Sequence, residues 1–430
     1  MIFSLDVRRA HKGDCLLLHY GTKTEPGLVV IDAGPANVYH PHLKPRLEKI
    51  RKARGLPAGK PLPIDVLMVS HVDDDHIHGI LDFTKELRDA GGVPLASVAS
   101  FWHNSFDEVI GKPPTELTSA VTAQFGAAAT NGARPDIADV EVETEEDSEV
   151  VSDTMKVLAS IEQGHRLRGD AKALGFALNP EFDGELVMAS AEALEIADAL
   201  TFTVVGPLKP ELLKLQKKHD EWLEEQKKKP KKPSAALAAY VDRSVPNLSS
   251  IVVLVASGGK TMLLTGDARG DKILKGLEEV GLLAAGGTMH VNVLKVPHHG
   301  SSNNVTRKFF ERITADHYVM SGDGEHGNPE RETMEMLLAA RVTEPFELHL
   351  TYPLDEIDKA REVDWGIEQG KEVARKANGT SKKDPRENWS APKHSLTAFF
   401  TPGRLAPKQT LRIIEDNGPH VIDLLDALGF

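Results

Sequence analysis

Short apolar runs rich in β-branched residues recur along the chain, and they predict buried strands. The clearest run covers residues 64–69 and ends at the polar residue Ser70, as expected where a strand leaves the core of a fold. Residues 251–256 and 261–265 are separated by a Gly-Gly pair, which predicts a hairpin. Further strands are predicted at residues 28–31, 98–102, 200–205, 291–296 and 316–321.

Other segments interrupt or follow this pattern. Residues 112–195 are rich in Ala, Glu and Asp and predict helices and loops, whereas residues 208–246 form a Lys/Pro-rich insertion between two strands expected to be neighbours. Beyond residue 345, apolar alternations remain at 346–351 and 396–400. The sequence therefore predicts a core domain over residues 1–345 and an extension over 346–430 that packs on it.

Composition narrows the class of protein. The chain has 430 residues, of which 40% are hydrophobic, with a net charge of −13. No apolar run approaches the roughly 20 residues of a membrane span, and we expect no signal peptide at the N-terminus. The one cysteine, Cys15, excludes an internal disulfide and predicts a core residue in a cytoplasmic protein. The acidic balance argues against a broad nucleic-acid surface.

Candidate metal ligands follow the strand at 64–69. They form the run His71-Val72-Asp73-Asp74-Asp75-His76. Imidazole and carboxylate groups together suit zinc, manganese or iron. The adjacent carboxylates would repel one another unless a cation neutralised them. The run therefore predicts a divalent metal site at the end of the strand.

The spacing of this run resembles the His-x-His-x-Asp-His-x-x-Gly signature of the metallo-β-lactamase superfamily. Asp73 takes the place of the second histidine, as in the ComEC-type branch of DNA-uptake proteins and in phosphorylcholine esterases. Three further motifs resemble that branch in the same order, at residues 28–34 (after Gly13-Asp14-Cys15), 261–267 and 295–302.

The resemblance implies a four-layer αββα fold in which two divalent ions, zinc or manganese, activate a water molecule. It assigns His71 and Asp73 to the first ion, Asp75 and His76 to the second, and Asp267 to both. His298 completes the second ion's ligands, with His299 as the alternative. Catalytic roles fall on Asp75, His76 and His326, and substrate contacts on Lys295, His299, Ser301 and Ser302.

The chain also departs from the superfamily pattern. Gly206-Pro207 stands where other members carry a further histidine, so the first ion is expected to have three protein ligands and weaker binding. His103 or His165 could substitute, against a simpler reading of each as an ordinary core or surface residue. His326 precedes Gly327-Asn328-Pro329, where the uptake family shows Gly-His-Pro, and it is expected to donate a proton or contact a phosphate from a shifted position.

Three hypotheses about function follow. The first is a metal-dependent phosphodiesterase or nuclease acting on DNA or RNA. The second is a hydrolase of a small phosphodiester or another small ester. The third is an effector of a bacterial antiviral defence system, regulated by a partner protein or by protease cleavage in the 208–246 insertion. The sequence leaves the oligomeric state open.

Overall fold

Two mixed β-sheets form the centre of the computed structural model. The structure describes residues 1–105, 163–197, 200–213, 217, 249–379, 381–415 and 418–430. Most of the 208–246 insertion, and the acidic segment at 141–149, therefore lie outside the described residues.

The first sheet has the strand order β15-β1-β2-β3-β4-β5-β6. Strands β1, β2 and β3 form an antiparallel meander, and β3 to β6 run parallel. The strand bounds are β1 Ile2–Val7, β2 Leu16–Gly21, β3 Pro26–Ile31, β4 Leu62–Met68, β5 Ala96–Trp102, β6 Ala177–Leu178 and β15 His420–Asp423.

The second sheet has the strand order β14-β13-β12-β11-β10-β9-β8-β7. Strands β7 to β10 pair antiparallel, and β10 to β14 pair parallel. The strand bounds are β7 Ala193–Ala197, β8 Leu200–Gly206, β9 Val252–Ser257, β10 Lys260–Leu264, β11 Met289–Lys295, β12 Ile313–Met320, β13 Phe346–Leu350 and β14 Gln409–Ile413.

Helices cover the outer face of each sheet. Strand β4 shows why: Val66 and Met68 enter the core between the two sheets, whereas Leu67 faces the helices. Such burial on both faces is expected of parallel strands. The helix bounds are α1 Lys44–Ala53, α2 Asp74–Asp89, α3 Gly270–Glu279, α4 Arg307–Arg312, α5 Arg331–Ala340, α6 Leu354–Ala377, α7 Ala391–His394 and α8 Leu396–Phe399.

Three buried clusters give the order of the layers. The middle cluster joins side chains such as Phe3 and Val66 of the first sheet to Val253 and Val293 of the second. A second cluster packs α1 and α2 on the first sheet. The third packs the helices from α3 to α6, and α8, on the second sheet. This arrangement confirms the predicted four-layer αββα fold.

The strands predicted from apolar runs are present, and β9 and β10 form the predicted hairpin. Strands β8 and β9, on either side of the 208–246 insertion, are neighbours as expected. The apolar alternation at 396–400 lies in helix α8, which Ser395 caps by accepting from Ala398 N at 2.9 Å. One reading was incomplete: the segment 112–195, read as helices and loops, also contains strand β6 and the start of β7.

Residues 346–430 contribute strands to both sheets. Strands β13 and β14 extend the second sheet, and β15 pairs antiparallel with β1 in the first.

Cys15 is fully buried, as predicted, and burial raises the pKa of its thiol. Within the described ranges, no helix combines the length and apolar character needed to cross a membrane.

Candidate metal centre

Three loops that follow strands bring the predicted ligands together. His71 to Asp75 lie between β4 and the first turn of α2, Asp267 follows β10, and His298 with His299 follows β11. Backbone hydrogen bonds fasten these loops to their neighbours: Ile251 N donates to Ser70 O at 2.7 Å, and His298 N donates to Gly266 O at 3.1 Å. The site therefore lies where strand ends of both sheets meet.

Asp267 lies at the middle of the cluster and is almost fully buried. Its Oδ1 is 3.3 Å from His76 Nε2 and 3.4 Å from His299 Nε2. Its Oδ2 is 3.4 Å from His298 Nε2 and 3.8 Å from His71 Nε2. Each oxygen of one carboxylate thus faces a separate pair of imidazoles.

The two other predicted carboxylate ligands divide between these pairs. Asp73 Oδ2 lies 3.6 Å from His71 Nε2. Asp75 lies on the other side, with Oδ1 3.9 Å from His76 Nε2 and Oδ2 3.7 Å from His299 Nε2. The arrangement therefore groups His299, rather than His298, with Asp75 and His76.

Buried polar atoms of the cluster point at one another without hydrogen-bond partners among the described residues. Buried polar groups are ordinarily paired, so such a set needs an explanation. Imidazole nitrogens and carboxylate oxygens are the donors that zinc and similar divalent ions accept. The residues therefore fit a metal centre. The unpartnered atoms are His71 Nε2, His76 Nε2, Asp267 Oδ1 and His299 Nε2.

A second layer of side chains fixes the orientation of the imidazoles. His76 Nδ1 lies 2.8 Å from Asp32 Oδ2, which also accepts from Ser70 Oγ at 2.6 Å. His298 Nδ1 lies 2.9 Å from Asn304 Oδ1. An Nδ1–H that donates outward leaves Nε2 free to bind an ion, the usual arrangement around metal-bound histidine. Asp32 and Asn304 therefore hold two ligands in the binding tautomer.

Lys295 lies beneath the cluster and is fully buried. Its Nζ pairs with Asp14 Oδ2 at 2.5 Å. Asp14 also accepts from Ser321 Oγ, and His299 Nδ1 lies 2.9 Å from that hydroxyl. This placement connects Lys295 to the support of His299 and turns it away from solvent, which differs from the substrate contact expected from the sequence.

Ser301 and Ser302 are both held by Glu330. Ser302 donates to it through N at 3.0 Å and through Oγ at 2.8 Å, and Ser301 Oγ lies 3.3 Å from it. The two serines therefore fasten the loop after His299 to the segment just before α5. Their predicted contact with substrate stays a prediction.

His326 lies in an exposed turn at Glu325–Gly327. Its Nε2 is 3.3 Å from Lys12 Nζ and 3.7 Å from Glu325 Oε1, and about half of its side chain is exposed. The proposed proton transfer from His326 stays a prediction.

Two other histidines were considered as substitute ligands for the first ion. His165 is exposed, and His103 is fully buried beside Gly164.

Two glycines allow the close approach of backbone on which the site depends. A Cβ on Gly13 would lie 1.8 Å from Asp75 O, and a Cβ on Gly79 would lie 2.0 Å from Ala33 O. Any larger residue at either position would push α2 away from the loops beside it. Gly13 and Gly79 therefore set the position of the Asp75 and His76 side chains.

The charges of the site act strongly on one another. Burial alone would lower the pKa of His299, but the carboxylates of Asp267 and Asp14 outweigh it and raise this pKa to about 10. Burial raises the pKa of Asp75, but the neighbouring His76 and His299 hold it well below its usual range. Buried carboxylates in this arrangement favour added positive charge, whether from protons or from a divalent cation.

Several residues of the site were not predicted as functional from the sequence. Asp14 and Asp32 lie in motifs that contributed to the resemblance, but no role was assigned to them. Asn304 and Glu330 carried no signal, because each acts through a contact formed only in the fold. Positive backbone φ angles at Asp32, His298 and His299 mark the same region of tight turns.

The chain was compared with protein families, curated sequences and solved structures, and only solved structures match it. No protein-family model matches the chain, and no similar protein was found among curated sequences. Twenty-seven chains of solved structures match it. One of them, named "Putative metal-dependent hydrolase", is from Parabacteroides distasonis ATCC 8503. It is 8% identical, with a TM-score of 0.32, over 81% of this chain and 98% of that one.

Proposed function

We propose that the chain is a divalent-metal-dependent hydrolase of phosphodiesters, with nucleic acid as its substrate class. The observation that carries the proposal is Asp267, whose two oxygens face different histidine pairs at 3.3 to 3.8 Å. A buried carboxylate between two such donor sets is the arrangement expected of a ligand shared by two ions.

Each ion would then have four protein donors. This differs from the three expected for the first ion from the sequence, because His298 Nε2 approaches the same Asp267 oxygen as His71 does. Asn304 supports this assignment, since its Oδ1 lies 2.9 Å from His298 Nδ1 while its Nδ2 donates to Asp267 O at 3.0 Å. We assign His71, Asp73, Asp267 and His298 to the first ion, and Asp75, His76, Asp267 and His299 to the second.

When bound, zinc or manganese would supply Lewis acidity and lower the pKa of a water molecule toward neutrality. The chain's own residues would then position the reactants. Asp75 is one-fifth exposed, so its carboxylate is available to orient a water molecule at the open side of the site. Asp32 and Asn304 keep His76 and His298 from rotating away from Asp267.

A phosphodiester suits this donor set because its non-bridging oxygens carry the charge that two ions stabilise. The nucleic-acid class rests on the resemblance of the motifs to the DNA-uptake branch. A second candidate, a small phosphodiester, is favoured by the net charge of −13, since a polyanion would be repelled outside the immediate site. The defence-effector hypothesis stays a prediction.

The test is hydrolysis by the purified chain loaded with zinc or with manganese. The substrates are linear DNA, circular DNA, RNA, a chromogenic bis-aryl phosphodiester and a chromogenic carboxylate ester. We expect cleavage of a nucleic acid by the native chain and none by Asp267→Asn. Cleavage of the chromogenic phosphodiester alone favours the small substrate. Failure of every phosphodiester with a metal-loaded, folded chain contradicts the proposal.

A further inference from the structure

A second cluster of metal-binding side chains lies on β12 and β13, neighbouring parallel strands of the second sheet. His317 is in register with Glu347, and His349 lies two residues further along β13. The side chains of Tyr318 and Leu348 pack under the outer helices. Because successive residues of a strand face opposite sides, the three candidate ligands project from the other face, between the two sheets.

The donor atoms of this cluster form a compact triangle. His317 Nδ1 and His349 Nε2 are 3.1 Å apart. Glu347 Oε2 lies 3.8 Å from the former and 3.7 Å from the latter. Tetrahedral zinc, with bonds of about 2.0–2.2 Å, separates its ligand atoms by roughly 3.4 Å. The observed separations need to change by only a few tenths of an ångström to surround such an ion.

We propose that His317, Glu347 and His349 bind a divalent ion of the zinc type, separate from the centre around Asp267. Two imidazoles and one carboxylate form a known ligand set for zinc that leaves a fourth position to water. His349 is almost fully buried, whereas His317 is one-fifth and Glu347 one-third exposed. The ion therefore has a path of entry from solvent.

A supporting layer surrounds the three ligands. His349 Nδ1 lies 2.8 Å from His420 Nε2, on strand β15 of the first sheet. If His349 donates this hydrogen bond, its Nε2 is left unprotonated and directed at the ion. Arg412 holds Glu347 through both oxygens, with Nη2 donating to Oε1 at 3.0 Å and Nε donating to Oε2 at 3.3 Å. A carboxylate oxygen has two lone pairs, so Oε2 can accept this longer hydrogen bond and still bind the ion.

The bound ion would stabilise the fold at this edge. The ligands come from β12 and β13, and His420 connects them to the opposite sheet. An ion that binds the folded chain and not the unfolded chain raises the melting temperature as its concentration rises. No residue is shared with the Asp267 cluster, so this inference does not depend on the proposed hydrolase activity.

The test compares the full-length native chain with His317→Gln and Glu347→Gln. Zinc content is measured by elemental analysis after dialysis, and tetrahedral coordination by the absorption of the cobalt-loaded protein. We expect each variant to bind about one ion fewer per chain, with a smaller zinc-dependent rise in melting temperature and unchanged hydrolase activity. His290→Gln is the matched control, because His290 forms an exposed pair with Asp316 on the same sheet.

Two outcomes overturn the proposal. One is that both variants, folded by circular dichroism, retain the native zinc count and the native response of melting temperature to zinc. The other is that His290→Gln loses as much zinc as His317→Gln, which would indicate nonspecific binding to surface histidines. Loss of ions from the Asp267 cluster is recognised separately, because it removes activity as well as metal.

Discussion

Lys295 and Asp14 form an ion pair, with Nζ and Oδ2 2.5 Å apart, in the interior beside His299. Both side chains are almost completely buried. Lys295 ends β11 directly before the loop that carries His298 and His299. Lys295 therefore fixes the Asp14 carboxylate, whose other oxygen lies 3.4 Å from His299 Nδ1, behind one of the candidate metal ligands. This contact gives the buried lysine a positioning role.

The first prediction concerns the stability given by this pair. Lys295→Met should lower the free energy of unfolding by about 3–5 kcal/mol, because it removes the lysine charge paired with the buried Asp14 carboxylate at 2.5 Å. Adding Asp14→Asn should recover part of the loss. Urea denaturation of both single variants and the double variant measures the coupling.

The matched control for this prediction is Lys272→Met. Lys272 pairs with Glu211 at 2.7 Å in a more exposed position, and such pairs contribute about 1 kcal/mol or less. If Lys295→Met costs no more than Lys272→Met, the buried pair does not hold Asp14 as we infer.

The ligand run could be predicted from the sequence because His71 to His76 are contiguous and follow an apolar strand. The sequence could not predict which oxygen of Asp267 each of His298 and His299 faces. Both have positive φ angles, so the direction of each ring depends on a tight turn and on partners distant in sequence. Asn304 and Ser321 decide which imidazole faces which oxygen of Asp267.

Strands, like the ligands, could be predicted only where the local sequence has a clear pattern. In strand β4, residues 66–68 are apolar and buried on both faces, and this end of the strand therefore has a strong pattern. Strands β14 and β15 are short edge strands in which polar residues such as Arg412 and His420 interrupt the alternation. Their pairing is set by the neighbouring strands and not by their own propensity. The cluster of His317, Glu347 and His349 escaped prediction because these residues converge only through the pairing of β12 with β13.

The second prediction separates two adjacent carboxylates. Asp75→Asn should lower the rate of phosphodiester hydrolysis at least ~100-fold, equivalent to about 2.7 kcal/mol of transition-state stabilisation, because Asp75 faces the ligand cluster. Asp74→Asn should have little effect, since Asp74 Oδ1 contacts His78 and Gln163 instead. Steady-state kinetics on one substrate measure both. If the two variants lost the same fraction of the hydrolysis rate, Asp75 would have no role that Asp74 lacks.

The third prediction concerns the two histidines after β11. His298→Ala and His299→Ala should each remove about one ion per chain, but different ones, since the rings face different oxygens of Asp267. Isothermal titration with manganese, together with elemental analysis, measures the remaining site in each variant. His326→Ala should retain both ions. If His298→Ala retained both ions, His298 would not be a ligand, and the first ion would have only three protein ligands.

The fourth prediction is a pH dependence of stability that arises from His103. Burial lowers the pKa of this imidazole to about 3, whereas the ordinary pKa of histidine is about 6.5. Above the ordinary value, both the folded and the unfolded chain hold His103 neutral, so it contributes no pH dependence. As pH falls below that value, the unfolded chain takes up a proton that the folded chain does not. Stability is therefore lost progressively down to about pH 3.

His103→Gln should remove this contribution, because glutamine does not titrate. The free energy of unfolding of the native chain should fall more steeply between about pH 6 and about pH 4 than that of the variant, by about 1.4 kcal/mol per pH unit. Urea denaturation in the presence of a chelator measures both slopes without interference from metal binding. At about pH 8 the two slopes should coincide, since His103 is neutral in both states there. Parallel slopes at low pH would mean that His103 takes up its proton in the folded chain, and the burial beside Gly164 would then not control its charge.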